Sequence, residues 1–173
     1  FGGAENLISI PGFVGAAPIQ NIGAYGVEIK DIFVSCSGYF LNTLEKKKFE
    51  LNDCQFSYRS SIFKKSLRNK FIITEVVLQL SKTNHKISKS YKSINDALNN
   101  KKIHNPTIKD IARIVSKIRE NKLPNPSLIG NSGSFFKNPI VSIELLNKLK
   151  QKFSKLVYFK AVSYTHLRAH ETE

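Results

Sequence analysis

The stretch Ile10-Pro-Gly-Phe-Val-Gly-Ala-Ala-Pro-Ile-Gln-Asn-Ile-Gly-Ala-Tyr-Gly26 decides how this chain is read. Gly12, Gly15, Gly23 and Gly26 free the backbone for φ/ψ values that a Cβ forbids, while Ala16, Ala17 and Ala24 keep side chains away from something flat or anionic. The glycine order is neither G-x-G-x-x-G nor G-x-x-x-x-G-K-[ST], so neither a Rossmann site nor a phosphate loop is indicated. Pro11 and Pro18 argue against a regular helix through the segment. Read alone, it is equally a pair of glycine-rich turns in a β-rich domain.

Two further stretches put polar groups on tight backbone. In Tyr58-Arg-Ser-Ser-Ile-Phe-Lys64, Arg59 offers a permanently charged planar fork suited to a carboxylate, a phosphate or a developing enolate. A surface arginine beside a turn is the alternative, set against the scarcity of arginine in a chain whose positive charge is nearly all lysine. In Gly130-Asn-Ser-Gly-Ser-Phe-Phe-Lys-Asn-Pro139, Ser134 stands between Gly133 and two phenylalanines. That setting suits a dry hydroxyl that donates a proton, or simply a turn serine. Neither Ser132 nor Ser134 fits G-x-S-x-G, and His85 and His104 lie in Lys/Asn-rich runs with no sign of a triad.

Taken together, these motifs and the link Lys122-Leu-Pro-Asn-Pro126 resemble the UDP-N-acetylenolpyruvoylglucosamine reductase (UDP-N-acetylmuramate dehydrogenase) family of bacterial peptidoglycan synthesis, from about Phe1 to Lys160. The resemblance implies a cytoplasmic flavoprotein that takes hydride from NADPH onto FAD and passes it to the enolpyruvyl group of a nucleotide sugar, a small-molecule substrate. It implies an α+β fold: part of an FAD-binding domain of the vanillyl-alcohol-oxidase (PCMH) type over residues 1–90, then the start of an α/β substrate-binding domain over 91–160.

Carried over position by position, the resemblance gives Ile10, Pro11, Gly12, Gly15, Ala16, Ile19 and Gly23 to FAD, and Tyr25, Tyr91, Lys122 and Asn138 to the substrate, with Lys122 toward the diphosphate. Arg59 matches the arginine that steadies the enolpyruvyl carboxylate, and Ser134 the serine that protonates the carbon beside it. The chemistry agrees with these roles. Hydride delivered to one alkene carbon pushes charge onto its neighbour and the carboxylate, so a fixed cation and a proton source are both required.

Composition sets bounds that fit this reading. At 173 residues the chain can hold one full domain or one and a half small ones. Its two cysteines, Cys36 and Cys54, fall in the strand-like runs 32–37 and 54–58 and read as buried free thiols, since no C-x-x-C or Cys/His cluster suggests a metal or a disulfide. No apolar run approaches the ~18 residues of a membrane span. The net charge of +14 raises a rival of another class, a nucleic-acid-binding module. Against it, the excess is lysine spread along the chain among Asn and Ile, with no aromatic interleaving and no zinc-finger or RNP pattern. A different flavin oxidoreductase on the same fold is the nearer alternative, and the serine motif disfavours it.

The chain contains no methionine and opens on Phe1-Gly-Gly-Ala-Glu-Asn-Leu7, as the middle of a flavin domain would. The resemblance places an earlier Gly/Ser-rich FAD loop and a C-terminal catalytic glutamate outside these residues, so the expectation is a fragment, inactive by itself. Residues 161–173, Ala161-Val-Ser-Tyr-Thr-His-Leu-Arg-Ala-His-Glu-Thr-Glu173, depart in style from what precedes them and read as a foreign tail.

Periodicity predicts β-rich runs from Leu7 to about Leu80, among them Val27–Val34 and Phe71–Leu80, then a polar connector over 81–92 and a short helix near Ser93–Leu98. An amphipathic helix is predicted from an N-cap at Thr107, with Asp110 at N3, to Asn121, carrying Ile108, Ile111, Ala112, Val115 and Ile118 on one face. Ser142 is predicted to cap another helix through Leu145, Leu146, Leu149 and Phe153.

Overall fold

The computed structural model describes residues 1–89, 91–125, 127–130, 137–160 and 165–167. They form two compact units, Phe1–Asn131 and Ser132–Glu173. The first begins with an irregular segment and a short hairpin, Gly23–Ala24 (β1) with Val27–Glu28 (β2). The strands Phe33–Phe40 (β3), Lys46–Glu50 (β4) and Phe71–Leu78 (β5) follow, making an antiparallel sheet in the order β4-β3-β5.

β3 is the central strand, and its Val, Ser, Cys and aromatic residues fit a pleated surface; a register shift against β5 between Phe33 and Ser35 breaks the strict alternation, so that Phe33 and Cys36 share one side. Phe33 and Cys36 pack with Phe49, Cys54, Ile62, Phe63 and Phe71 into one core. Phe49 meets Phe63 and Phe71 edge to face, at centroid distances of 5.4 and 5.1 Å. This geometry sets the positive ring edge on the negative face. The ladder between β3 and β5 shifts register at Ser37/Gly38. A Cβ on Gly38 would overlap the Ile72 carbonyl, so this close approach requires glycine.

Two of the expected runs are broken. Val27–Val34 is not one strand, because residues Ile29–Asp31 form a 3-10 turn between β2 and β3. The cause is local: the Asp31 carboxylate accepts the Glu28 backbone N–H at 2.8 Å, and Asn21 Oδ1 accepts that of Lys30 at 3.1 Å. Donors captured by side chains are lost to a strand ladder. Cys54 likewise stands in a turn after β4, where Asp53 accepts the Glu50 N–H at 2.9 Å and wraps the chain back.

Both cysteines are free and fully buried. The hydrogen bond that Cys54 shares with Cys36, together with burial, pushes the Cys54 thiol up.

The helices Lys92–Asn100 (α1) and Ile108–Lys122 (α2) pack on each other through Ile94, Leu98, Ile111, Ile114 and Val115. Ile114 belongs to this buried stripe, whereas Ile108 and Ala112 are only partly covered. The seam follows the 111, 114, 115, 118 spacing of one helical face.

The start of α2 is fixed by a reciprocal cap. The Asp110 N–H donates to Thr107 Oγ1 at 3.3 Å, and the Thr107 N–H donates to Asp110 Oδ2 at 2.9 Å. The Thr107 hydroxyl and backbone N–H hold the Asp110 carboxyl below its usual range. Replacing Thr107 by alanine is therefore expected to cost ~1 kcal/mol. Urea denaturation followed by far-UV circular dichroism reads this as a lower midpoint at unchanged slope.

The second unit holds Ile140–Val141 (β6), Ile143–Lys152 (α3), Tyr158–Lys160 (β7) and Thr165–Leu167 (β8). Ser142 caps α3, its Oγ accepting the Leu145 N–H at 3.2 Å, and Leu146 is the buried residue of the helix. β8, within the stretch expected to be foreign, is the middle strand of the antiparallel sheet β6-β8-β7. No helix among the described residues is long and apolar enough to cross a membrane.

Candidate functional site

Arg59 sits at the tip of a two-residue turn. Ser57 and Ser60 close the turn by exchanging backbone hydrogen bonds of 3.0 and 3.1 Å. The backbone of Arg59 is left-handed, φ +52°, a conformation that a non-glycine residue holds only when its surroundings enforce it. Here they do. Arg59 Nη2 donates to the Gly23 carbonyl at 2.5 Å, Nη1 lies 3.8 Å from Glu28 Oε1, and the guanidinium lies over the Tyr58 ring at 5.2 Å. A Cβ on Gly23 would stand 2.7 Å from Arg59 Nη1, so glycine at this position is what admits the guanidinium.

The loop that leads to Gly23 is tied to the same turn. Ser61 Oγ donates to the Ile19 carbonyl at 2.7 Å and accepts the Phe63 N–H at 3.1 Å. The Ile19 side chain packs on the sheet core, so this residue anchors the loop from below.

Upstream, the loop opens outward: Pro11, Gly12 and Ala16 are exposed, and Ile10 is partly buried. Phe13 and Val14 are 90% and 61% exposed. Gly12 has φ +114°, and nothing lies within 4 Å of where its Cβ would be. Gly15 is pressed against the β5 edge, where a Cβ would meet the Ile73 carbonyl at 3.2 Å. An open, apolar, small-residue surface backed by a sheet fits one face of a planar aromatic cofactor such as the FAD ring system. Among the described residues, no group of three or more His, Cys, Asp or Glu gathers to hold a metal ion.

Tyr25 and Tyr91 are brought together. Their rings meet edge to face at 5.3 Å, and Tyr25 also packs against the α1/α2 core. Tyr25 is left-handed, φ +50°, and its carbonyl accepts Asn6 Nδ2 at 2.9 Å. Tyr91 is the N-cap of α1, and Lys122 is the exposed last residue of α2. The C-terminal half of α2 reaches the start of the loop, since Arg119 Nε donates to the Ser9 carbonyl at 3.1 Å. Asn138 belongs to the second unit, and Ser134 lies outside the described residues.

Sequence reading missed Asn21 and Glu28. Asn21 is fully buried at φ +47° and donates Nδ2 to Glu28 Oε2 at 3.0 Å and to the Ser57 carbonyl at 3.1 Å. The available signal was an asparagine, the residue type that best tolerates left-handed backbone after glycine, inside the glycine-rich loop.

No protein-family model matches the chain. Among curated proteins it is 48% identical over 168 residues to the UDP-N-acetylenolpyruvoylglucosamine reductase of Flavobacterium johnsoniae, covering 97% of this chain and 50% of that protein. The enzyme of the same name from Amoebophilus asiaticus is 46% identical over 170 residues, 98% of this chain and 50% of the relative. That of Pseudomonas aeruginosa is 42% identical over 155 residues, 90% and 45% respectively. Among solved structures, UDP-N-acetylenolpyruvylglucosamine reductase from Thermus caldophilus superposes with a TM-score of 0.53 at 19% identity, over 98% of this chain and 55% of that one, a likeness of fold. Over nearly its whole length the chain is thus similar to UDP-N-acetylenolpyruvoylglucosamine reductases, and it spans about half the length of the curated relatives it matches.

Proposed function

We propose that this chain supplies the flavin-facing and part of the substrate-facing surface for NADPH-dependent, FAD-mediated reduction of UDP-N-acetylglucosamine enolpyruvate to UDP-N-acetylmuramate, a cytoplasmic step of peptidoglycan synthesis. The observation that carries the reading is the Arg59 guanidinium, held on a strained turn against Gly23 at the end of an exposed small-residue loop. Residues 1–90 form part of the flavin domain in this reading, and 91–160 open the substrate-binding domain.

The residues divide the work. Ile10, Pro11, Gly12, Gly15 and Ala16 would offer backbone and small side chains to FAD, while Ile19 and Gly23 fix the loop to the core and to Arg59. FAD, when bound, supplies the two-electron chemistry that links NADPH to the substrate alkene. Arg59 keeps a fixed charge where the enolpyruvyl carboxylate gains electron density, and a preorganised cation needs no reorganisation during the reaction. Ser134 gives its hydroxyl proton to the carbon next to that carboxylate. Tyr25 and Tyr91 present a paired aromatic wall to the sugar nucleotide, and Lys122 and Asn138 take its polar groups, with the lysine on the diphosphate.

The test is a substrate-dependence assay on the product of the complete reading frame that encodes this sequence, loaded with FAD. NADPH oxidation is expected with the enolpyruvyl nucleotide and not with UDP-N-acetylglucosamine, with a product two mass units heavier than the substrate. Equal oxidation with both sugars would reject the reading.

A further inference from the structure

We propose that Glu28, locked in place by Asn21, is the positioning residue for Arg59. The inference rests on the functional reading above and extends it to residues that reading does not use. The two Glu28 oxygens are differently engaged. Oε2 receives Asn21 Nδ2 at 3.0 Å and Lys30 Nζ at 2.8 Å, which leaves Oε1 turned toward Arg59 Nη1 at 3.8 Å. Asn21 then reaches the turn that carries Arg59 directly, through its bond to the Ser57 carbonyl at 3.1 Å. One buried amide therefore joins the carboxylate and the turn into a single unit.

An arginine has five donors in a rigid fork. The Gly23 carbonyl takes one from Nη2, Glu28 flanks Nη1, and the Tyr58 ring covers a face. The guanidinium plane is thereby set by contacts on separate sides, and the rest of the fork remains for a ligand carboxylate. A half-buried pair as long as 3.8 Å adds little to stability, so the consequence of this arrangement is orientation. Misplacing a charge by ~1 Å from where negative charge develops costs up to ~10²-fold in rate.

The test uses Glu28→Gln, alone and combined with Arg59→Lys, in the FAD-loaded product of the complete reading frame. Bleaching of FAD by NADPH is expected to keep its rate. Recovery of flavin colour on adding the enolpyruvyl nucleotide is expected to slow by about 10- to 100-fold. In the Arg59→Lys background Glu28→Gln should add almost nothing, because the residue it acts through is gone. Unchanged recovery, or an equal loss in both backgrounds, would overturn the proposal.

A second readout needs no turnover. Nitrogen NMR of the Arg59 guanidinium is expected to show resolved Nη signals in the parent protein that merge in Glu28→Gln as rotation is freed, and identical spectra would contradict the proposal. If the parent protein is not reoxidised by the enolpyruvyl nucleotide at all, the functional reading fails, and the NMR comparison decides the role of Glu28 by itself. Should Glu28→Gln not fold, Glu28→Asp keeps the charge, withdraws it by one methylene and is judged by the same two readouts.

Discussion

Replacing Ser134 by alanine is expected to leave reduction of bound FAD by NADPH near its original rate and to slow reoxidation by the enolpyruvyl nucleotide by ~10² to 10⁴. The asymmetry follows from where the proton is needed. In the proposed reaction the nicotinamide half takes no proton from this serine, whereas the substrate half ends with a carbon that must be protonated while charge sits on the neighbouring carboxylate. Loss of a positioned acid removes stabilisation that exists only in that transition state, so the deficit appears in the rate of the step rather than in substrate affinity. Stopped-flow absorbance of the flavin separates the two halves. Equal slowing of both would mean that Ser134 shapes the site and donates no proton.

Arg59→Lys is expected to retain FAD and to lose turnover of the enolpyruvyl substrate by on the order of 10² to 10³, the scale for removing one preorganised charge-stabilising donor. Lysine preserves the charge but has no planar fork, so it cannot bond the Gly23 carbonyl, face Glu28 and meet a carboxylate together. The backbone demand is unchanged, since either residue must take the left-handed conformation recorded at φ +52°. A change in rate is thus attributable to the head group. Near-normal reduction of the substrate by this variant would remove Arg59 from the mechanism.

How much of this could be read from sequence depends on the range of the interaction concerned. The α2 cap was readable because Thr107 and Asp110 are three residues apart and satisfy each other. The break in Val27–Val34 was obscured by its apolar residues, although the deciding Asp31 carboxylate lies within the run. Ile114 escaped because a stripe drawn through Ile108 and Ala112 runs beside the face that neighbouring α1 covers.

Asn21 and Glu28 were beyond reach for a different reason. Their meaning lies in Ser57 and Arg59, the former 36 positions from Asn21, and only the folded chain brings them together. The importance of Arg59 itself came from the wording of its motif, and the structure adds the strained turn and the glycine that accommodates it. For Ser134 the motif and the family likeness remain the whole support.

We propose that the chain contributes to a site where electrons pass from NADPH through FAD to an enolpyruvyl nucleotide. Sequential anaerobic mixing of the FAD-loaded product of the complete reading frame tests it most directly. Stoichiometric NADPH is added first and the enolpyruvyl nucleotide second, while flavin absorbance is followed throughout. Colour is expected to be lost on the first mix and to return on the second without oxygen, with one substrate reduced per flavin. Flavin that stays bleached in the presence of the enolpyruvyl nucleotide would contradict it.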